Sequence, residues 1–191
     1  MKKIKVMLVE DDPRWQRDIV DDLEKESDLE VVRVVSSKEE AIEAAKDIEM
    51  DVILMDINLT ENNMDGIEAT LEIYSLGKEI KIIMLTALGD RDTIVKAIEF
   101  GAVNYVNKSS FLDILECIRS AYRNEVSLHP DATGAILREI RLKSLTPMEK
   151  NIYTLKEEGY TRPQMAQYFH TTLDTIGTHM KNISRKLKRR K

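Results

Sequence analysis

Short, nearly continuous apolar runs alternate with longer stretches of helical spacing through the first two thirds of the chain. The runs lie at Ile4–Val9, Val31–Val35, Val52–Met55, Ile80–Leu85 and Asn104–Val106, and read as strands. Helical spacing covers about Pro13–Lys25, Lys38–Asp47, Ile67–Leu76, Thr93–Phe100 and Phe111–Arg123. Strands that are apolar at every position are covered on both faces, and strands alternating with helices of this length build βα units. The pattern predicts an α/β domain over residues 1–123 with a doubly wound, five-stranded parallel sheet.

The pattern weakens over residues 124–143, where Pro130 and Gly134 sit and Ala135–Arg141 is expected to form a short linker helix. From Leu145 onward the spacing is helical alone. Thr146-Pro147-Met148-Glu149 reads as a capping box with proline at the first helical position, and Gly159 as the C-terminal cap. Thr161 and Thr172 can cap two further helices. The last has Ile176, Met180, Ile183 and Leu187 on one stripe, predicting a small all-α domain over residues 144–191.

Charge sharpens this division. Residues 144–191 hold ten Lys/Arg against four Asp/Glu, a net of +6, which leaves −11 for residues 1–143 out of a total of −5. A basic module behind an acidic one points to a polyanionic partner for the second. The single cysteine, Cys117, excludes an intramolecular disulfide and reads as a core residue. No apolar run approaches the ~20 residues that span a bilayer, and Met1–Val9 meets acids too soon for a signal peptide. A cytoplasmic protein with no membrane partner is expected.

In a doubly wound sheet ligands bind beyond the carboxyl ends of the strands. The first strand ends in Glu10-Asp11-Asp12, the third in Asp56, the fourth in Thr86, and the fifth leads into Lys108. Clustered carboxylates need a cation, and hard oxygen ligands with open positions suit Mg²⁺. Asp56 is then a candidate nucleophile toward a phosphoryl group, with Lys108 and Thr86 stabilising its oxygens. Asp12, next to Pro13, is expected to cap the first helix instead.

These residues resemble a known family. Leu8-Val-Glu-Asp-Asp-Pro, Val52-Ile-Leu-Met-Asp56, Met64-Asp-Gly66, Leu85-Thr86-Ala87 and Tyr105-Val-Asn-Lys108 are similar to the CheY-like receiver domain, of flavodoxin-like fold. The resemblance implies that Asp56 accepts a phosphoryl group from a histidine kinase. It also implies that Mg²⁺ is held by Glu10, Asp11, Asp56 and the backbone carbonyl of Asn58, and that Thr86 and Tyr105 form a switch pair. Thr60-Glu-Asn-Asn-Met replaces the usual proline-containing turn, and Ser109 replaces a proline after the lysine.

Residues 145–187 resemble the LuxR-type helix-turn-helix of NarL/FixJ-class regulators, through Leu145-Thr-Pro-Met-Glu, Glu158-Gly-Tyr-Thr and Thr175-Ile-Gly-Thr-His-Met-Lys-Asn-Ile. The core stripe leaves Thr175, Thr178, Lys181, Asn182 and Arg185 on other faces, where they can meet bases and phosphates. The resemblance adds His179 and position 177, where Gly177 stands in place of a frequent lysine. It implies binding to double-stranded DNA as a homodimer, with RNA polymerase as a further partner. The family's fourth helix is not evident before Lys191, so the receiver is expected to supply the dimer contact.

The combined resemblance predicts a phosphorylation-controlled two-component transcription regulator. Its only expected catalysis is its own phosphoryl transfer and slow dephosphorylation. A haloacid-dehalogenase-type phosphatase would want a second Asp where Asn58 stands. A protein-binding adaptor output is the other alternative, and salt-dependent duplex binding separates it from DNA recognition.

Overall fold

The computed structural model describes residues 2–60, 64–86, 91–125 and 130–188. The chain divides into two compact units, residues 1–135 and 136–191. In the first, strands β1 (Ile4–Val9), β2 (Leu29–Val35), β3 (Val52–Asp56), β4 (Lys81–Thr86) and β5 (Asn104–Asn107) alternate with helices. The helices are α1 (Pro13–Leu23), α2 (Lys38–Asp47), α3 (Asp65–Tyr74), α4 (Arg91–Glu99) and α5 (Phe111–Tyr122). All strand pairs are parallel, in the order β2-β1-β3-β4-β5. The order reverses between β1 and β3, which places the expected ligand crevice at their carboxyl ends.

Alternate residues of each strand serve opposite faces of the sheet. Met7, Ile53, Met55, Met84 and Tyr105 pack with Ala41 of α2, Ile67 and Ile73 of α3, and Ile94 and Ala97 of α4. Leu8, Leu54, Leu85 and Val106 pack with Ile19 and Leu23 of α1 and Ile114, Cys117 and Ile118 of α5. Cys117 is buried there, as expected of a core residue.

Local chemistry sets the helix starts. The Asp12 carboxylate accepts the Arg14 N–H at 2.8 Å, with Pro13 at the first helical position. Ser37 caps α2 through the Glu40 N–H at 3.2 Å. α3 begins two residues before the expected Ile67, after Met64 in a left-handed conformation (φ 116°). Ala87 and residues 61–63 lie outside the described residues.

The remaining helices are α6 (Pro130–Leu142), α7 (Pro147–Glu157), α8 (Arg162–Tyr168) and α9 (Leu173–Lys188). α6 is longer than the Ala135–Arg141 segment expected. Its last turns are held to α7 by a 3.0 Å ion pair between Glu139 and Lys150, an Arg138–Glu157 pair, and Arg138 over the Tyr153 ring at 5.9 Å. The Thr146 N–H donates to Glu149 at 2.8 Å and the Glu149 N–H to Thr146 at 3.3 Å, completing the capping box of α7. Gln164 accepts the Thr161 N–H at 2.8 Å at the start of α8, and Thr172 accepts the Thr175 N–H at 3.2 Å at the start of α9. Leu142, Leu145, Ile152, Leu155, Met165, Ile176 and Ile183 form the core of this unit, and Met180 and Leu187 pack against it. Among the described residues no helix is long and apolar enough to cross a membrane.

Candidate functional site

Glu10, Asp56 and Lys108 continue the strand positions of Leu8, Leu54 and Val106, so they lie at the carboxyl rim on the face of α1 and α5. All three are buried. The Lys108 ammonium lies 2.5 Å from Glu10 Oε2 and 3.0 Å from Asp56 Oδ2. The second oxygen of Asp56 accepts the Ile57 N–H at 2.8 Å, and that of Glu10 the Asp12 N–H at 3.3 Å. The Lys108 N–H donates to the Thr86 carbonyl at 2.8 Å, which anchors the lysine to the end of β4.

Asp11 is exposed, and one oxygen from each of Glu10, Asp11 and Asp56 falls within 4.8 Å of the others. Burial pushes the Glu10 carboxyl up to about 7, with Lys108 opposing and Asp56 adding to the rise. Burial likewise raises Asp56 above the ordinary carboxylate range, against the pull of Lys108 and the Ile57 N–H. One ammonium here faces three carboxylates. This donor set, all hard oxygen, fits a small divalent cation. Asn58, two residues beyond Asp56, lies exposed at the same loop.

Thr86 and Tyr105 are buried, but on the other face of the sheet. Thr86 follows Met84 at the spacing that keeps it on the α3/α4 side, where Tyr105 packs beside Ile94 and Ala97. Gly66 presses on the end of β3 at Asp56. A Cβ there would meet the Asp56 carbonyl oxygen at 1.7 Å, and the Gly66 N–H donates to the Ile57 carbonyl at 3.1 Å.

In the helical unit, Thr175, Thr178, Lys181 and Arg185 are exposed on α9, while His179 and Asn182 are half-buried. The Thr178 hydroxyl donates to the Asp174 carbonyl at 2.9 Å, and Arg185 donates to the Asn182 side-chain oxygen at 3.1 Å. A Cβ on Gly177 would meet nothing within 4 Å. A groove between α7, α8 and α9 brings Lys156 and Arg162 beside Thr178 and Lys181, with Asp174 as its one carboxylate among the described residues.

The response regulator receiver domain family matches residues 6–119. This chain belongs to the response regulators. It is 35% identical over 193 residues to the transcriptional regulatory protein LiaR of Bacillus subtilis (strain 168), covering 96% of this chain and 90% of LiaR. A two-component response regulator of the LuxR family from Aurantimonas sp. SI85-9A1 superposes with a TM-score of 0.65 at 26% identity, over 72% of this chain and 98% of that one. RcsB from Salmonella enterica serovar Typhimurium, in a structure bound to a promoter, shares the fold with a TM-score of 0.66 at 19% identity, over 97% and 92% of the two chains.

Among the described residues, the three carboxylates that meet at the rim, Glu10, Asp11 and Asp56, are ones that the strand ends point to in the sequence. Sequence reasoning missed Lys156, Arg162 and Asp174 beside the expected DNA contacts. For Lys156 and Arg162 the one available signal was the basic balance of residues 144–191. The sequence marks Trp15 only as a core residue or a candidate dimer contact on the first helix; its ring lies 5.7 Å from the Lys108 ammonium, a pairing no sequence signal announces.

Proposed function

We propose that this response regulator is a transcription factor switched by a phosphoryl group on Asp56, taken from a histidine kinase. The observation that carries the reading is the buried Lys108 ammonium shared by Glu10 and Asp56, with Asp11 alongside. An Asp56 carboxylate oxygen attacks phosphorus in line, and the P–N bond of a phosphohistidine donor breaks with its electron pair leaving on the imidazole. Lys108 moves from the carboxylate to an equatorial phosphoryl oxygen and neutralises part of its charge. Glu10, Asp11, Asp56 and the Asn58 carbonyl would hold Mg²⁺, which would supply further charge neutralisation.

The added charge of about −1.5 to −2 draws the Thr86 hydroxyl toward the phosphoryl oxygens and vacates space for Tyr105, biasing a two-state surface on the α4/β5 side. The output is duplex DNA, met by the exposed Thr175, Thr178, Lys181 and Arg185 of α9, with Asn182 and His179 beside them and Lys156 and Arg162 on flanking phosphates. A homodimer on paired half-sites multiplies the small specificity of one helix. Apart from its own phosphorylation and slow dephosphorylation, the chain is not an enzyme in this reading.

The test is a DNA selection from a random duplex pool with the full chain, with and without acetyl phosphate and Mg²⁺. Phosphorylation should raise the yield of enriched sequence, and Asp56→Asn should remove that gain. Binding that ignores salt concentration would point to an adaptor instead.

A further inference from the structure

The chain's single tryptophan stands on the first turn of α1, and its place there is tightly set. Asp12 caps the helix through the neighbouring Arg14 N–H, and Pro13 fixes the first position. On its other side Gln16 donates to the Glu10 carbonyl at 2.6 Å and to the Ser36 hydroxyl at 2.9 Å. The indole is half-buried and packs against the core between the sheet and helices α1 and α5. Its ring centroid lies 5.7 Å from Lys108 Nζ, the same ammonium that pairs with Glu10 and Asp56.

From this geometry we infer that Trp15 is a positioning residue for Lys108, holding the ammonium by a cation–π contact while it passes from Asp56 to the phosphoryl group. A lysine stem has four rotatable carbons, and its head is strongly hydrated when it can reach water. Here the side chain is 6% exposed, so the head must be held by what surrounds it. Two carboxylates hold it by directional contacts at the rim. The aromatic face adds attraction without a hydrogen-bond acceptor. That difference matters during transfer. A carboxylate or carbonyl in place of the ring would pin the ammonium, whereas the ring lets it shift toward phosphorus without losing contact. An aliphatic side chain would fill the volume and supply no such attraction.

The inference rests on the reading of Asp56 as phosphoryl acceptor, and the experiment separates the two. The full-length chain is incubated with acetyl phosphate and Mg²⁺, and the initial rate of acyl-phosphate formation is measured for wild type, Trp15→Phe and Trp15→Leu. Thermal denaturation of each variant is recorded alongside. Trp15→Leu should phosphorylate about three- to tenfold more slowly, a range set by cation–π strengths at partly buried sites. Trp15→Phe, which keeps an aromatic face, should recover most of that rate even where its melting temperature falls as far as that of Trp15→Leu. In the wild type, transfer should also change the indole fluorescence as the ammonium leaves its carboxylate partner. Equal rates in Trp15→Phe and Trp15→Leu would overturn the cation–π role and leave Trp15 as packing. A wild type that forms no acyl phosphate would instead overturn the acceptor reading itself.

Discussion

The Lys186 ammonium lies 2.5 Å from Glu149 Oε2, tying the last turns of α9 to the first turn of α7. The same carboxylate oxygen accepts the Thr146 N–H, so one buried group closes a helix cap and an interhelical bridge together. Burial works to raise the Glu149 carboxyl, but Lys186 and the hydrogen bonds from Thr146 outweigh it and hold the group below its usual range. A carboxyl whose folded value is depressed contributes stability above its unfolded value, and loses that contribution as pH falls through the folded one. Hydrogen-exchange protection of the first α7 amides should therefore be full at neutral pH and fall once the pH drops below about 4.3, the ordinary glutamate value. Glu149→Ala should cost the helical unit about 1–2 kcal/mol by loss of the cap. Lys186→Met leaves the buried Glu149 carboxylate without its cation, so the pH at which this protection is lost should rise.

Gly66 is required by space rather than by backbone angle. With a Cβ placed 1.7 Å from the Asp56 carbonyl oxygen, Gly66→Ala must push the end of β3 or the start of α3 aside. Overpacking of this kind costs about 1–3 kcal/mol. Urea denaturation should show that loss. Acetyl phosphate labelling should slow as well, since the displaced strand end carries Asp56, the proposed phosphoryl acceptor. An alanine variant with wild-type stability and labelling would show that the contact relaxes without consequence.

Phosphorylation and its transmission should be separable by mutation. Asp56→Asn should accept no alkali-labile phosphoryl group, while Thr86→Ala should accept one and yet gain no DNA affinity from it. The measurement is labelling of each variant in parallel with DNA titration before and after modification. A Thr86→Ala protein that responds as wild type does would remove Thr86 from the switch.

The open position at Gly177 makes a gain-of-function prediction possible. Nothing within 4 Å would obstruct a side chain there. Gly177→Lys should raise helix stability by about 0.5–1 kcal/mol through propensity alone. It should also add one phosphate contact, steepening the dependence of log affinity on log salt by about 0.9. Lys181→Ala should shallow that dependence by a similar amount. A salt slope that neither variant moves would place the DNA contact away from this face of α9.

Much of this architecture is legible in the chain. β1 and α2 run from Ile4 to Val9 and from Lys38 to Asp47, as their patterns predict, because an apolar run stopped by acids marks the first and a Ser37 cap starts the second. Glu10, Asp56, Thr86 and Lys108 can be placed on one rim by strand counting alone, since parallel strands deliver their carboxyl ends to the same edge. The start of α3 is not legible, because Met64 adopts a left-handed conformation that its side chain does not announce. Nor is the length of α6. Gly134 and Pro130 read as breakers, and the contacts of Arg138 and Glu139 with α7 that hold its last turns are tertiary. Trp15 with Lys108 and Glu149 with Lys186 are pairings of residues far apart in sequence, of a kind that periodicity does not encode.

The two-faced sheet has a consequence for how substitutions combine. Leu54 and Ile19 share one apolar layer, while Met55 and Ile73 share the other, and the strands between them keep the layers out of contact. Paired replacements drawn from opposite layers should therefore change unfolding free energy additively, within about 0.3–0.5 kcal/mol. Additivity should fail at the carboxyl rim. There Lys108 carries Glu10, Asp56 and Trp15 on one side, while its backbone grips Thr86, whose side chain belongs to the other. A double-mutant cycle between Trp15 and Thr86 should return a nonzero interaction energy even though the two side chains lie on opposite faces, because the lysine between them is a shared partner. In this molecule the β-sheet acts as a partition, and that rim is its doorway.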